Sequence, residues 1–163
     1  MLDGDPLLSY QFSLQFTGGP TLPTTAFFRE ISGIGVEYGV AEHKTVSESG
    51  IPFIQKIPAR PTYSPITLKR GIASDLSLWL WHKMVVDEIT AELARTNVQI
   101  VMYSRMYLPV LQWSLKRAWP SKISGPQFQT DSTDVAMEEL TLVHEGIEID
   151  TMGSMIGRAA GLL

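Results

Sequence analysis

The sequence predicts a mainly β protein, an antiparallel barrel or sandwich that carries one packed α-helix. A clear period-two strand stands near the start of the 163 residues, and one segment alone has a helical pattern of apolar residues. Three further strand candidates follow that segment, separated by prolines and glycines that favour turns. One helix among many strands gives too few crossover connections for a parallel sheet, so antiparallel pairing is expected.

The first strand is the clearest element of the sequence. Between Tyr10 and Thr17, aromatic and aliphatic residues alternate with serine, glutamine and threonine, which is the pattern of a strand with one buried face. A Gly-Gly-Pro sequence at residues 18–20 ends this strand. Glycines at 33 and 35 interrupt the extended region that follows, 27–38, and they predict a bulge or a sharp bend.

Residues 40–60 are predicted to form a protruding hairpin arm with its tip near Ser49 and Gly50. From residue 40 to 48 the chain alternates like a strand, but almost nothing on either face is apolar, so it is not expected in the core. Prolines on the return strand predict an interrupted hydrogen-bond ladder. A long hairpin with free edges needs a partner, so we expect a subunit contact, with a floppy loop as the alternative. The candidate contact residues are Glu42, Lys44, Val46 and Glu48.

A helix is predicted from Asp75 to about Thr90, with Ser74 as its N-cap. A rotation of about 100° per residue gives one broad apolar arc that is expected to face the core. Its members are Leu78, Trp79, Val85, Val86 and Ile89, with His82 in the middle. A second stripe with i, i+4, i+8 spacing is flanked by polar residues and suits a subunit contact. This stripe consists of Leu76, Leu80 and Met84.

The remaining strand candidates are residues 98–103, 110–116 and 135–149. We interpret residues 1–150 as one domain and 151–163 as a glycine-rich C-terminal extension. Glycine recurs every fourth residue in that extension, a spacing that lets helices approach closely, and a frayed terminus is the alternative.

Composition argues against several classes of protein. The net charge is −4, and the basic pairs Lys69-Arg70 and Lys116-Arg117 are isolated and predicted to be solvated, so sequence-specific nucleic-acid binding is not expected. Cysteine is absent, which removes disulfides and thiolate chemistry. No apolar stretch approaches the roughly 20 residues of a membrane helix, and the N-terminus lacks a secretory pattern, so we expect assembly in the cytoplasm.

No pattern of residues predicts catalysis. His43, His82 and His144 lack the spacing of metal ligands. His144 and Glu145 are neighbours, as are Glu138 and Glu139, and adjacent strand residues point to opposite faces, so neither pair is expected to act together. Phosphate loops, nucleophile elbows and dinucleotide fingerprints are missing. We therefore expect a non-enzymatic protein without metal or cofactor.

Six groups of residues, in order over about residues 8–149, resemble the phage tail-tube family that is shared with extracellular contractile injection systems. They are Phe28-Arg29-Glu30-Ile31-Ser32-Gly33-Ile34; Ile66-Thr67-Leu68-Lys69-Arg70-Gly71; Leu78-Trp79-Leu80-Trp81; Trp113 with Ala118-Trp119-Pro120 and Lys122; Gly125-Pro126; and Met137-Glu138-Glu139-Leu140 with His144-Glu145-Gly146-Ile147.

The sequence also departs from the usual pattern of that family. Pro58-Ala59-Arg60-Pro61 stands where Pro-Gly is usual, Ser104-Arg105 stands where an acidic pair is common, and Arg117 replaces a frequent asparagine. The tail after Asp150 has no usual counterpart. These departures leave open whether the chain resembles the major tube subunit or a specialised ring near the baseplate or tip.

The resemblance implies a two-sheet β-barrel-like subunit with a flanking helix, six copies of which close into a ring. Such rings stack into a tube inside a contractile sheath, and the lumen carries DNA in a phage or a toxin in an injection system. The implied partners are further copies of the chain, sheath and baseplate proteins, and cargo or DNA in the lumen. Insertion of the subunit itself into a membrane is not implied.

Two alternatives remain open. One is a hexameric ring of the type VI secretion kind that chaperones an effector in its lumen, which effector-dependent stability would distinguish. The other is a small β-sandwich that binds carbohydrate by stacking sugars on Trp113 and Trp119. Burial of those two side chains would eliminate the second alternative.

Overall fold

A computed structural model describes residues 11–17, 25–71, 76–125, 131 and 136–151 of the chain. The strands in these ranges are β1 (Gln11–Phe16), β2 (Thr25–Phe28), β3 (Glu30–Ser32), β4 (Val36–Val46), β5 (Pro52–Tyr63), β6 (Ile66–Gly71), β7 (Thr96–Tyr103), β8 (Pro109–Ser124), β9 (Met137–Val143) and β10 (Gly146–Thr151). The helices are α1 (Ser77–Val86) and α2 (Ala91–Ala94).

Eight strands form one curved antiparallel sheet, in the order β2-β1-β7-β8-β9-β6-β3, with β10 also paired to β8. The long strand β8 pairs with β7 and β10 through its first part and with β9 through its last part, so it belongs to both halves of the sheet. Strands β2 and β3 stand at opposite ends of this order, yet Arg29 alone separates them in sequence. The two ends of the sheet are therefore held close together.

The predicted fold class, mainly β and antiparallel with a flanking helix, is confirmed, but the sheets are not closed into a barrel. The two halves of the sheet instead enclose a core between them. Ile66 and Leu68 on β6 alternate with more exposed neighbours, and Leu140 and Leu142 on β9 do the same, so each strand turns one apolar row inward.

Trp81 attaches α1 to the sheet. Its side chain is fully buried and meets the ring of Phe16 on β1 edge to face, with 4.8 Å between ring centroids. The indole Nε1 donates a hydrogen bond to the carbonyl oxygen of Ala94, at 2.8 Å. One side chain therefore joins β1, α1 and the end of α2.

The helix is shorter than the sequence predicts. Helix α1 ends at Val86 because Asp87 has extended backbone, with ψ of 120°, and a turn then leads into the separate α2. The predicted cap residues Ser74 and Asp75 lie outside the described residues.

The predicted apolar arc is only partly correct. Leu78 is buried and Val85 packs against the core, but Val86 and Ile89 are 76% and 87% exposed. Trp81, which the arc omits, is as fully buried as Leu78, whereas Trp79 of the arc is 40% exposed. The predicted arc assumed a continuous helix as far as residue 90, but the backbone is extended at residue 87 and the helix ends before it.

The sharp bend predicted near Gly33 and Gly35 lies at Gly33, which has a φ of +84° between β3 and β4. Of the later strand candidates, residues 135–149 form two strands, β9 and β10, separated by His144 and Glu145. The C-terminal extension lies outside the described residues beyond Thr151.

Candidate subunit interfaces

The predicted arm is a two-stranded ribbon separate from the main sheet, formed by β4 and β5. Direct pairing runs from Val36 opposite Tyr63 to Val46 opposite Pro52, with one register shift beside Gly39. The prolines of β5 therefore do not end the ladder, because each strand of a ribbon has a free outer edge where proline is tolerated. The arm spans residues 36–63, which is longer than the 40–60 that the sequence indicates.

All four candidate contact residues of the arm are exposed. Glu42, Lys44 and Val46 alternate along β4 and therefore share one face, while Glu48 lies in the turn at the tip. That turn is closed by hydrogen bonds from the Ser47 amide to the Ile51 carbonyl, at 2.9 Å, and from the Gly50 amide to the Ser47 carbonyl, at 2.8 Å.

The arm is less polar than the sequence suggests. Apolar side chains that are between 41% and 64% exposed occupy both of its faces. They are Tyr38, Val40, Val46, Ile51, Phe53, Ile54 and Ile57. A two-stranded ribbon is marginally stable in water on its own, and exposed apolar surface of this kind marks an interaction site. The expectation of a polar arm rested on residues 40–48 and left out the return strand, which carries Phe53, Ile54 and Ile57.

The base of the arm rests on the connection between β9 and β10. The Tyr63 and His144 rings lie 5.4 Å apart, and His144 is buried with its Nδ1 3.1 Å from the Gly146 carbonyl oxygen. Burial lowers the pKa of His144 below its ordinary value of 6.5, and contact with backbone carbonyls opposes that shift only in part. The neighbouring Glu145 is exposed and lies 3.2 Å from the guanidinium of Arg117. His144 and Glu145 thus have different environments.

The second candidate interface, the stripe on α1, is also largely exposed. Leu76, just before the helix, and Leu80 are exposed, and Trp79 beside them is partly so. Met84 differs from the other two members of the predicted stripe, since it is half-buried and packs against the core. The exposed part of the stripe is therefore Leu76 and Leu80.

A buried charged cluster lies directly beneath α1. Arg70 on β6 stands opposite Glu138 on β9, and the Arg70 Nε lies 2.6 Å from Glu138 Oε2. The other carboxylate oxygen accepts a hydrogen bond from Trp79 Nε1, also at 2.6 Å. The Arg70 guanidinium carbon lies 5.8 Å from the centre of the Phe28 ring, at cation–π distance. The Glu138 carboxylate thereby joins the neighbouring strands β6 and β9 to the helix.

The prediction that the Lys69-Arg70 pair is solvated is wrong for Arg70. The alternation Ile66, Leu68, Arg70 places this residue on the inward row of β6, and Glu138 occupies the matching row of β9. That alternation was the available signal, and the prediction of an isolated, solvated pair overlooked it.

The second basic pair, Lys116-Arg117, is solvated as predicted. Lys116 pairs with Glu148 at 2.5 Å on the surface, and Arg117 Nη2 lies 2.8 Å from Glu92 Oε1. Arg117 has a positive φ of 49°, a conformation that asparagine adopts more readily than most side chains. The positive φ therefore explains why asparagine is frequent at the position that arginine occupies here.

The described part of the chain contains neither a candidate metal cluster nor a candidate membrane helix. Within it, no group of three or more His, Asp or Glu residues is arranged to hold a metal ion. A search of the same residues finds no helix with the length and hydropathy that crossing a bilayer requires.

The open antiparallel sandwich and its free-standing arm place the chain among β-rich proteins with large exposed contact surfaces. The family follows from the sequence: the model of the T4-like virus tail tube protein gp19 matches residues 8–148, and the chain belongs to that family. It is therefore a tail tube protein. The resemblance stated from the six groups of residues is confirmed.

Solved structures agree in fold. A chain of the PVC sheath-tube complex in the extended state, from an extracellular contractile injection system, matches with a TM-score of 0.71 and 20% identity over 92% of this chain and 95% of that one. The anti-feeding prophage cap, a tube terminating cap, gives 0.69 and 19% over 90% and 92%. An Hcp protein gives 0.53 and 10% over 89% and 94%. Comparison with curated protein sequences gave no significant match.

These similarities bear on the two alternatives. The family model favours the tail-tube interpretation over the effector-carrying ring, and in fold the tube chain also matches with a higher TM-score than the Hcp protein. Trp113 and Trp119 are half-buried, and Trp113 packs against the core, so neither is a freely exposed platform for sugars.

Proposed function

We propose that this chain is a non-enzymatic structural subunit that closes into six-membered rings, and that the rings stack into the tube of a phage tail or an extracellular injection particle. The observation that carries this proposal is the arm. A ribbon of residues 36–63 stands outside the main sheet with apolar side chains on both faces, and the described part of the subunit leaves them uncovered. Other copies of the chain supply that cover.

Ring closure has its own support in the fold. Within the described residues, β2, β3 and β10 each leave one edge unpaired, and α1 exposes Leu76 and Leu80. Two different surfaces that bind head to tail generate a ring when the rotation closes, and closure removes the exposed edges. We propose the α1 stripe and the four arm residues as subunit contacts in this assembly.

The function of the tube is mechanical. Subunits assemble in the cytoplasm of the producing cell, a surrounding sheath and a baseplate hold the tube, and the lumen conducts DNA or a protein cargo. Chains of similar fold occur in a sheath-tube complex and in a baseplate structure, which supports these partners. No bound metal or cofactor takes part.

The test shortens the arm. His43 and Gln55 are directly opposite each other, so replacing residues 44–54 by Asn-Gly keeps their register and closes the ribbon with a two-residue turn. The arm contributes nothing to the buried core cluster, and we expect a folded subunit with native-like circular dichroism and cooperative melting that no longer forms tubes. Electron microscopy and light scattering measure assembly.

The parent chain and Ser49→Ala are the controls, since Ser49 lies exposed at the tip and its substitution keeps the full arm. Both should form rings of about 109 kDa, six times the chain mass of 18.1 kDa, and then tubes. Tubes of normal length from the shortened variant, or unfolding of that variant, would show that the arm is not an assembly element. A parent chain that stays monomeric at all concentrations would refute the proposed function.

A further inference from the structure

The turn between β7 and β8, residues 104–108, displays large apolar side chains at its surface. Met106, Tyr107 and Leu108 are 80%, 69% and 56% exposed. Three consecutive residues of this kind form an apolar patch, which on a soluble protein marks an interaction site. We call residues 104–108 the apolar turn.

Hydrogen bonds to Ser104 hold the apolar turn in one conformation. The Ser104 amide donates to the Leu108 carbonyl and the Tyr107 amide donates to the Ser104 carbonyl, both at 2.9 Å. The Ser104 hydroxyl accepts hydrogen bonds from the amides of Met106, at 3.3 Å, and Leu108, at 3.4 Å. The apolar side chains are therefore presented on a fixed backbone, and little entropy is lost when they bind.

Tyr107 adds a second sign of function. Its φ is 58°, in the left-handed region where glycine or asparagine is favoured and a bulky side chain is strained. The chain retains an exposed tyrosine at this strained position. Backbone strain of this kind clusters at functional sites of proteins.

The apolar turn lies at the start of β8, and the base of the arm lies near the middle of that strand. The turn leads directly into Pro109, whereas Lys116 pairs with Gly146, beside the His144 that contacts the arm base. Strands rise about 3.3 Å per residue, so these places are roughly 25 Å apart. Both the turn and the arm are exposed in the single chain, so the arm does not fold back over its own turn.

We propose that the apolar turn of one copy binds the exposed apolar side chains on the arm of the next copy along the tube, an inference that rests on the proposed function. A second copy of the chain is the expected partner, because each chain exposes both the apolar turn and the apolar side chains of the arm and covers neither of them. Two unlike surfaces at separate places on one chain give a head-to-tail contact that repeats without limit. The apolar turn is thus the receiving site for the arm.

Disulfide crosslinking tests this contact directly, because the chain contains no cysteine. Met106→Cys is combined in turn with Val46→Cys, Phe53→Cys or Ile54→Cys, and assembled tubes, first verified by electron microscopy, are oxidised. A disulfide requires Cβ atoms about 4 Å apart, so at least one pair should give a ladder of covalent multimers longer than dimers. Tubes assembled from a mixture of Met106→Cys subunits and subunits with only the matching arm substitution should give crosslinked pairs.

The outcomes separate this contact from the proposed function. Tubes that form but give no ladder on oxidation would overturn the contact between turn and arm and leave the proposed tube function standing. Crosslinked dimers in tubes of the single variant Met106→Cys would have the same meaning, because they would place two apolar turns against each other. Failure of the parent to form rings or tubes overturns both proposals.

A second measurement does not depend on crosslinking. Met106→Ser combined with Tyr107→Asn removes apolar surface and relieves the positive φ, so folding is preserved. We expect single rings to remain, while the critical concentration for tube growth rises about tenfold or more. Ile89→Ser, which changes an equally exposed apolar residue elsewhere, is the matched control and should leave that concentration unchanged. An unchanged critical concentration in the double variant also contradicts the contact.

Discussion

Removing one partner of the Arg70–Glu138 pair should destabilise the subunit far more than removing a surface charge. Both side chains are more than nine-tenths buried, at 7% and 8% exposure, and their atoms are 2.6 Å apart. Glu138→Gln keeps the shape of the side chain and an oxygen for Trp79, but the guanidinium of Arg70 then faces a neutral amide in the interior. Buried charges that lose an opposite charge are much more costly than exposed ones.

The magnitude follows from that burial. Breaking a buried ion pair from one side costs about 3–5 kcal/mol, a large share of the roughly 5–15 kcal/mol that holds a typical domain together. For a chain of this length each kcal/mol lowers the melting temperature by about 2–4 °C, so a fall of about 6–20 °C is expected. The double variant Arg70→Met/Glu138→Leu removes both charges and should lie within about 1–2 kcal/mol of the parent.

The assay is urea unfolding of the subunit, diluted below the concentration at which it assembles. It compares the parent, Glu138→Gln, the single variants Arg70→Met and Glu138→Leu, and their double variant. Glu148→Gln is the control, because it breaks the exposed pair with Lys116 and should leave the urea midpoint unchanged. A loss below about 1 kcal/mol in Glu138→Gln would refute the reasoning, as would a double variant that is less stable than either single one.

Two further predictions concern the base of the arm. Gly33→Ala should lower the free energy of unfolding in urea by about 2–4 kcal/mol, because the φ of Gly33 is +84° and an added Cβ would lie 2.2 Å from the Pro65 carbonyl oxygen. The control is Gly50→Ala, which has a similar φ of +82° but open space around it and should cost about 1 kcal/mol. Equal losses in the two variants would refute the steric clash at Gly33. His144 has a pKa below 6.5 in the folded chain, so the unfolded chain binds a proton at this residue at higher pH than the folded chain does. The free energy of unfolding should therefore be constant above about pH 7.5 and decline as pH falls through 6.5. Urea midpoints measured between about pH 8 and 5.5 should show this decline in the parent and a smaller one in His144→Gln.

The sequence predicts the strands well where one face is buried and the alternation is regular. β1 lies within the predicted strand, and the outward polarity of β4 correctly predicts that the arm stands outside the core. The return strand was harder, because prolines at 52, 58 and 61 concealed the paired strand that carries Phe53 and Ile54. Proline excludes a strand only where both of its edges are hydrogen-bonded, and a ribbon has free edges.

The buried cluster and the helix end could not be obtained from local pattern. Nothing near Arg70 in sequence identifies its partner, since Glu138 is brought opposite only by the pairing of β6 with β9. The end of α1 at Val86 depends on the extended backbone of Asp87, while the apolar spacing continues through Ile89. The wrong assignments from sequence periodicity therefore fall on residues whose environment depends on long-range strand pairing or on a reversal of the chain.

The division between the core and the proposed contact surfaces has a consequence for the proposed assembly. Trp81 and the Arg70–Glu138 pair fix α1 on the body, while the arm and the apolar turn contribute nothing to the buried core cluster. Each proposed arm contact is weak alone, but a closed ring presents its contacts together, and linked contacts bind far more tightly than one. Growth should therefore require a complete ring as its next unit. In the proposed tube, many simultaneous contacts of this kind would supply stiffness.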